Sequence, residues 1–314
     1  MAAPARRTGG RRRRGSGRKQ GPTGLHALAI AVGLGVLAVV LLSLPSQEST
    51  AAPRTSARAA VAPPIVGGDA SWPNCHAKTA RAVPHPAFAI VGVNDGEPGT
   101  VSGCLRKTFE WAATATGGPT SVGYYVMAAD PWQPAERRWA KPRWPSSATV
   151  AGRRIRIPAA YGTRCDGKHD NRACAYVFGW STARFDAAIP GVVDGATRRW
   201  WIDVETERDF SDDPVFNEAI IEGMAAYFTA APADGGLGAS TGIYSNLLFW
   251  GDIVGDLRRG SPLDRLDEWY PIGPGTPAEA ARAAPDLAPF TPHGRITLVQ
   301  VVQGGVDVDV AVPR

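Results

Sequence analysis

From residue 65 onward, short apolar runs alternate with amphipathic stretches, a rhythm that predicts an α/β domain. Runs rich in β-branched and aromatic residues at 65–68, 88–94, 121–128, 200–205, 241–245, 268–272, 296–302 and 306–310 predict eight strands. Helical patterns at 105–116, 175–189, 215–231 and 247–257 fall between the earlier strands and thin out after the sixth. The third of these has a start signal, SDDP, with Asp213 placed to cap and Pro214 at the first helical position. Eight strands in about 250 residues predict a single TIM-like (β/α) barrel. A doubly wound open sheet is the competing arrangement, but no glycine-rich phosphate loop follows any strand, and the residues imply no cofactor.

One strand carries an anomaly. The run WWIDVET at 200–206 sets two acids, one residue apart, among Trp, Ile and Val, and buried carboxylates are costly unless paired or used. Alternation puts Asp203 and Glu205 on one side and Ile202 and Val204 on the other. At a rise of about 3.3 Å per residue the two acids lie roughly 6.5–7 Å apart, enough to flank one small reacting group. The competing reading is an edge strand with its polar face in water. Barrel enzymes place their chemistry at the carboxyl ends of the strands, and here those ends read Asp69, Asn94-Asp95, Asp130, Asp203/Glu205, Tyr244-Ser245, Trp269-Tyr270 and Asp307. Polar and aromatic groups thus gather where a barrel forms its cleft. The NDG at 94–96 is also a strong turn signal, so Asp95 is read as a turn residue.

The amino terminus has a different character. Residues 1–24 contain eight Arg or Lys and no acid, and the apolar stretch 25–44 is interrupted only by His26 and Ser43. Twenty residues at 1.5 Å each span a hydrocarbon core. A basic cytoplasmic tail (1–24), a transmembrane anchor (25–44), a linker rich in Ala, Ser, Thr and Pro (45–64) and an extracellular domain (65–314) are therefore expected. Cleavage of 25–44 as a signal segment, giving a secreted domain, is the alternative. The net charge of +5 is the sum of +8 in residues 1–24, +6 in residues 130–175 and −9 elsewhere. The basic pI thus gives no argument for nucleic-acid binding, and an export segment following directly argues against a DNA-binding arm.

Export makes the four cysteines a disulfide framework. Three pairings are possible; Cys165 with Cys174, and Cys75 with Cys104, are the expected ones. Zinc is the rival reading, but no CxxC or HxxxH spacing appears and no metal site is expected.

The motifs, in order, resemble a known family. IVGGDASWPNC (65–75) resembles the first-strand GxDxS signature of the Chalaropsis-type lysozymes, glycoside hydrolase family 25. FAIVGVNDG (88–96) is similar to their second strand, VGYYVMAA (122–129) to their third, and WWIDVET to the strand carrying their Asp-x-Glu pair. TGIYSN (241–246) resembles the next strand, and LVQVVQGGVDVDV (298–310) the closing Gln and Asp-x-Asn segment. The combination is closer still to an exported actinobacterial branch of glycoside-hydrolase-like barrels whose activity is largely unassigned. The resemblance runs from residue 65 to the end. It implies about five β/α units followed by three strands, and cleavage of the peptidoglycan sugar backbone beside N-acetylmuramic acid. It further implies Glu205 as general acid, Asp203 as its partner, Asp69 as a first-strand cleft carboxylate and Asp307 as the closing one. Tyr244, Trp269, Gln300 and Asn94 are the expected substrate-binding residues. Trp200 and Trp201 are expected to give the acids apolar walls, which with nearby negative charge raise a donor's pKa. Two departures stand out: Val301 follows Gln300 where an aromatic is usual, and Asp309 occupies the usual Asn position.

Residues 130–172 form a long insertion after the third strand, with Trp132, Trp139 and Trp144 set among arginines. That composition suits sugar stacking and anionic polymers; a disulfide-tied loop that merely covers the barrel edge is the alternative. The expected partner is cell-wall polysaccharide, with membrane attachment through 25–44 and no nucleic acid. A non-catalytic glycan-binding or structural barrel is the competing functional reading.

Overall fold

The computed structural model describes residues 63–71, 74, 82–131, 143–206 and 210–313. The expected membrane segment at 25–44 lies outside them, as do Cys75, Trp132 and Trp139. Among the described residues no helix is long and apolar enough to cross a membrane.

All eight expected apolar runs carry strands of one closed ring. These are β1 (Val66–Ala70), β2 (Ala89–Gly92), β3 (Val122–Met127), β6 (Arg199–Asp203), β7 (Ser240–Tyr244), β8 (Asp267–Pro274), β9 (Arg295–Gln303) and β10 (Val306–Ala311). The ring runs β1-β10-β9-β8-β7-β6-β3-β2 and closes on itself, which excludes the open doubly wound sheet. Neighbours pair parallel except at β10, which is antiparallel to both β9 and β1. Helices follow β2, β3, β6, β7 and β8: α1 (Leu105–Ala112), α2 (Arg172–Ala187), α3 (Pro214–Thr229), α4 (Leu247–Ile253) and α5 (Pro277–Ala283). The last was not legible as a helical pattern. It carries a capping box between Thr276 and Glu279.

Strand alternation gives the ring two apolar faces. Inside, Ile90, Trp201, Tyr244, Trp269 and Leu298 fill the lumen. Outside, Val91, Val126, Trp200, Ile202 and Ile243 meet the helical layer. Trp200 stacks on Phe228 of α3 at 4.6 Å and donates its indole N–H to the Gly195 carbonyl. Of the two tryptophans expected to wall the acids, only Trp201 is therefore on their side. Its ring needs the bare backbone of Gly242, where a Cβ would lie 2.4 Å from it.

The helical layer is tightest at α2 and α3. A Cβ on Gly179 would sit 2.0 Å from the Ile220 carbonyl oxygen, and one on Gly223 would sit 2.0 Å from that of Tyr176. The two helices thus cross backbone to backbone. Both are capped as their sequences dictate: Asn171 accepts from the Cys174 N–H, and Asp213 from that of Val215, with Pro214 opening α3. Arg172 and Asp213 join the two starts through hydrogen bonds of 2.8 and 3.0 Å.

Between β3 and α2 the chain forms a two-stranded ribbon, β4 (Thr149–Val150) and β5 (Arg153–Arg154), and a disulfide joins Cys165 to Cys174. Cys104 is also disulfide-bonded; its expected partner, Cys75, lies outside the described residues. Trp144 does not serve as a free stacking platform. It stacks on Phe216 at 5.9 Å, leans on Phe178 and donates to the Lys168 carbonyl, tying this segment to α2 and α3.

The crossing yields a paired test. Gly179→Ala or Gly223→Ala should destabilise the protein by about 1–3 kcal/mol through overpacking. Gly251→Ala in α4, where an added Cβ meets nothing within 4 Å, should stabilise by about 0.5–1 kcal/mol. Denaturant unfolding of the three variants checks both signs.

Candidate functional site

The carboxyl ends of the parallel strands bring the acids together. Asp69 lies on β1, Asp203 is the last residue of β6, and Glu205 follows two residues later. Because β10 runs antiparallel, its amino end lies at the same rim. Asp307 sits opposite Val302 of β9, and Asp309, one step deeper, opposite Gln300. Asp69, Asp203 and Asp309 are buried, while Glu205 and Asp307 are half-buried.

Their common neighbour is Tyr244, the last residue of β7. Burial raises its phenol pKa well above the ordinary value, and the negative charges of Glu205, Asp203, Asp69 and Asp307 add to the effect. The four acids expected from the sequence therefore all act on one phenol. Tyr244 donates to Gln300 Oε1 at 2.7 Å, and Gln300 Nε2 donates to Asp69 Oδ2 at 2.7 Å. Trp269 Nε1 donates to Asp309 Oδ1 at 2.8 Å. Asp69 and Asp309 lie close enough to act on each other's ionisation, and Asp309 Oδ2 is buried with no hydrogen-bond partner among the described residues; a proton held between the two carboxyl groups would satisfy it.

Burial and mutual repulsion favour such a proton. Burial, followed by the negative charges of Asp309 and Asp307, pushes the Asp69 carboxyl far above its usual range, against the opposing hydrogen bond from Gln300. Burial likewise pushes Asp309 up to about 8, with the Trp269 indole opposing, and raises Asp307. The pair thus keeps a proton at neutral pH. A protonated carboxyl offers one donor and one acceptor, the same two functions as an asparagine amide.

Two expected binding residues are spent elsewhere. The Asn94 side chain accepts from the Met127 N–H at 3.2 Å and donates to its carbonyl at 3.3 Å, standing in for a strand neighbour at the end of β3. Trp269 is 2% exposed. Tyr125, Trp201 and Tyr244 pack around it, so it supports the cleft floor and leaves no face for a sugar. Two residues not among the expected catalytic or substrate-binding ones join the site. Asp309 was legible in VDVDV, where period-two alternation puts it on the face of Asp307. Tyr125 faces the lumen, hydrogen-bonded to the Ser71 side chain, its pKa raised by burial and then by Asp69 and Asp203. Its neighbour Tyr124 faces outward and donates to the Val193 carbonyl.

The cleft therefore offers phenols, an amide and acids in both protonation states, groups able to hold hydroxyls and to exchange protons. Among the described residues no group of three or more His, Cys, Asp or Glu side chains is placed to hold a metal ion.

The shared proton has a measurable consequence. An unfolded Asp ionises near 3.9, whereas Asp309 holds its proton to about 8. Between those values the folded state binds the extra proton, so stability falls as pH rises through that window. Asp309→Asn keeps one donor and one acceptor but does not titrate. Denaturant unfolding from pH 5 to pH 8 should show a decline in the wild type, limited to about 1.4 kcal/mol per pH unit for one proton, and a shallower one in the variant. Equal slopes would assign the proton elsewhere.

The chain matches no family model and no curated protein, and the reading of this cleft accordingly rests on its own residues and their geometry.

Proposed function

We propose that this is an exported glycoside-hydrolase-like barrel acting on cell-wall glycan, of about five β/α units followed by three strands, and that it cuts the peptidoglycan sugar backbone as a muramidase does. The observation that carries the reading is that Glu205, Asp203, Asp69 and Asp307 come to one rim of the ring from β1, β6 and β10 and all act on the Tyr244 phenol. A glycosidic oxygen must be protonated as it leaves. Glu205, half-buried at the rim beyond β6, is the proton donor in this reading. Asp203 is its buried partner, serving the oxocarbenium-like state or orienting the substrate's own acetamido group. Asp307 closes the cleft from β10, and the Tyr244–Gln300–Asp69 chain holds sugar hydroxyls in register. The departure at Asp309 is chemically small, because a carboxyl that keeps its proton supplies the functions of the amide usual at that position. The Cys165–Cys174 disulfide supports export, with 25–44 as anchor.

A second reading, a non-catalytic glycan-binding barrel, is favoured by one observation. Asp69 and Asp309 are occupied with each other, and Trp269 and Asn94 with the fold. Incubating the protein with purified peptidoglycan and measuring new reducing ends separates the two. Catalysis predicts release of reducing ends, and Glu205→Gln should cut the rate by at least about 10²-fold, because general acid catalysis is worth roughly 10²–10⁴. Glycan binding should survive the substitution. Binding without hydrolysis by the wild type across the pH range would leave the second reading standing.

A further inference from the structure

A groove of about 590 Å³ lies on the outer face of α2 and α3, sharing no lining residue with the acidic cleft. Its rim carries Arg153, Arg154 and Arg156; Tyr176 and Trp180 of α2 form part of its wall, and Asp234 is the one acid lining it. Three arginines against one acid leave a formal charge of +2. All three arginines are exposed, and none is ion-paired with an acid among the described residues.

The rim is built, not a loose loop. Ala151 and Gly152, with φ of 48° and 80°, make the tight turn of the ribbon. Ile155 is buried in the core between the arginines. The Tyr161 hydroxyl donates to Glu222 of α3 at 2.8 Å, and Arg258 joins both. Arg153 donates to the Ala233 carbonyl at 2.8 Å, and its stem lies over Gly235, where a Cβ would come within 2.4 Å of it. A rigid support holding unneutralised guanidinium groups is preorganised for anions, since little ordering remains to be done on binding. Guanidinium forks match phosphate and carboxylate oxygens, and arginines spread along an extended segment match charges that repeat along a chain.

We infer that this groove is a binding site for a linear polyanion bearing repeated phosphate or carboxylate groups, separate from the acidic cleft. The inference goes beyond the proposed hydrolase activity and does not depend on it. Trp180 gives a fluorescence reporter in the groove, with calorimetry as a second readout. The full chain should bind long-chain polyphosphate or polygalacturonate, the tighter of the two identifying the anionic group, and should not bind neutral dextran. Affinity should fall steeply with salt, because exposed charges are screened over about 8 Å at physiological ionic strength. Arg154→Gln with Arg156→Gln, both exposed and outside the core, should weaken binding about tenfold or more while leaving the melting temperature unchanged. Glu205→Gln should bind the polymer as the wild type does. Absence of polyanion binding at low salt, or binding untouched by the double substitution, would overturn the inference. So would inorganic phosphate binding as tightly as the polymer, which would mark a single-anion site, or single-stranded DNA binding more tightly than polyphosphate of equal charge.

Discussion

The antiparallel pairing of β10 with β1 joins Val66 to Val310, Gly67 to Asp309 and Gly68 to Val308, and with it the sheet becomes a ring. Without that pairing Asp69 would sit on a sheet edge, its carboxyl in water at an ordinary pKa. With it, Asp309 is brought to Asp69 and both lose their solvent. The antiparallel sense matters as much as the closure: a parallel β10 would carry Asp307 and Asp309 toward the opposite end of the barrel. Instead Asp307 arrives at the rim where Asp203 and Glu205 leave β6.

Buried charge is handled in two ways. In the outer layer most acids are met by donors, while Asp186 of α2, whose carboxyl oxygens have no hydrogen-bond partner among the described residues, is pushed well above its usual pKa by burial. Glu268 accepts from the Phe290 and Thr291 amides and the Thr291 hydroxyl, and Glu222 accepts from Tyr161, Arg258 and Ser261. At the amino ends of the parallel strands Arg199 and Arg295 converge on Asp267; burial alone would raise that carboxyl, but the two arginines outweigh it and hold it below its usual value. In the lumen none of the described ion pairs reaches Asp69, Asp307 or Asp309, and burial raises the pKa of all three. Neutralisation by an arginine would be permanent, whereas a retained proton leaves a group that can still titrate.

The strands were legible because their β-branched and aromatic runs are bounded by polar ends, and Asp213-Pro214 announced α3 through its chemistry. α5 escaped because PAEAARA has no apolar side chain larger than alanine or proline to mark a periodic face, although the T-x-x-E spacing at Thr276 and Glu279 was a readable start. The ribbon escaped because its strands are two residues long and its turn is Ala-Gly, without the Asn or Asp that usually marks such a turn. In the cleft, Asp203, Glu205, Asp69, Asp307 and Tyr244 could be gathered from strand ends, and Gln300 through the family resemblance. That Trp201 and not Trp200 shares the acids' side also follows from their alternation, whereas in Tyr124-Tyr125, a strand without a lumen acid to mark its parity, either register is compatible with composition.

The hydrogen bond from Gln300 to Asp69 spans 231 positions of chain. Contacts of such separation form late, because the entropy of closing the intervening loop is paid before they contribute. The cleft is thus a property of the finished ring and of no smaller piece. While strands β1 to β9 are packing, Asp69 remains an ordinary solvated aspartate, and the acid cluster comes into existence in the same step that seals the barrel. A chain stalled short of that step presents an open sheet edge, with Asp69 and Asp309 apart and the acid cluster unformed.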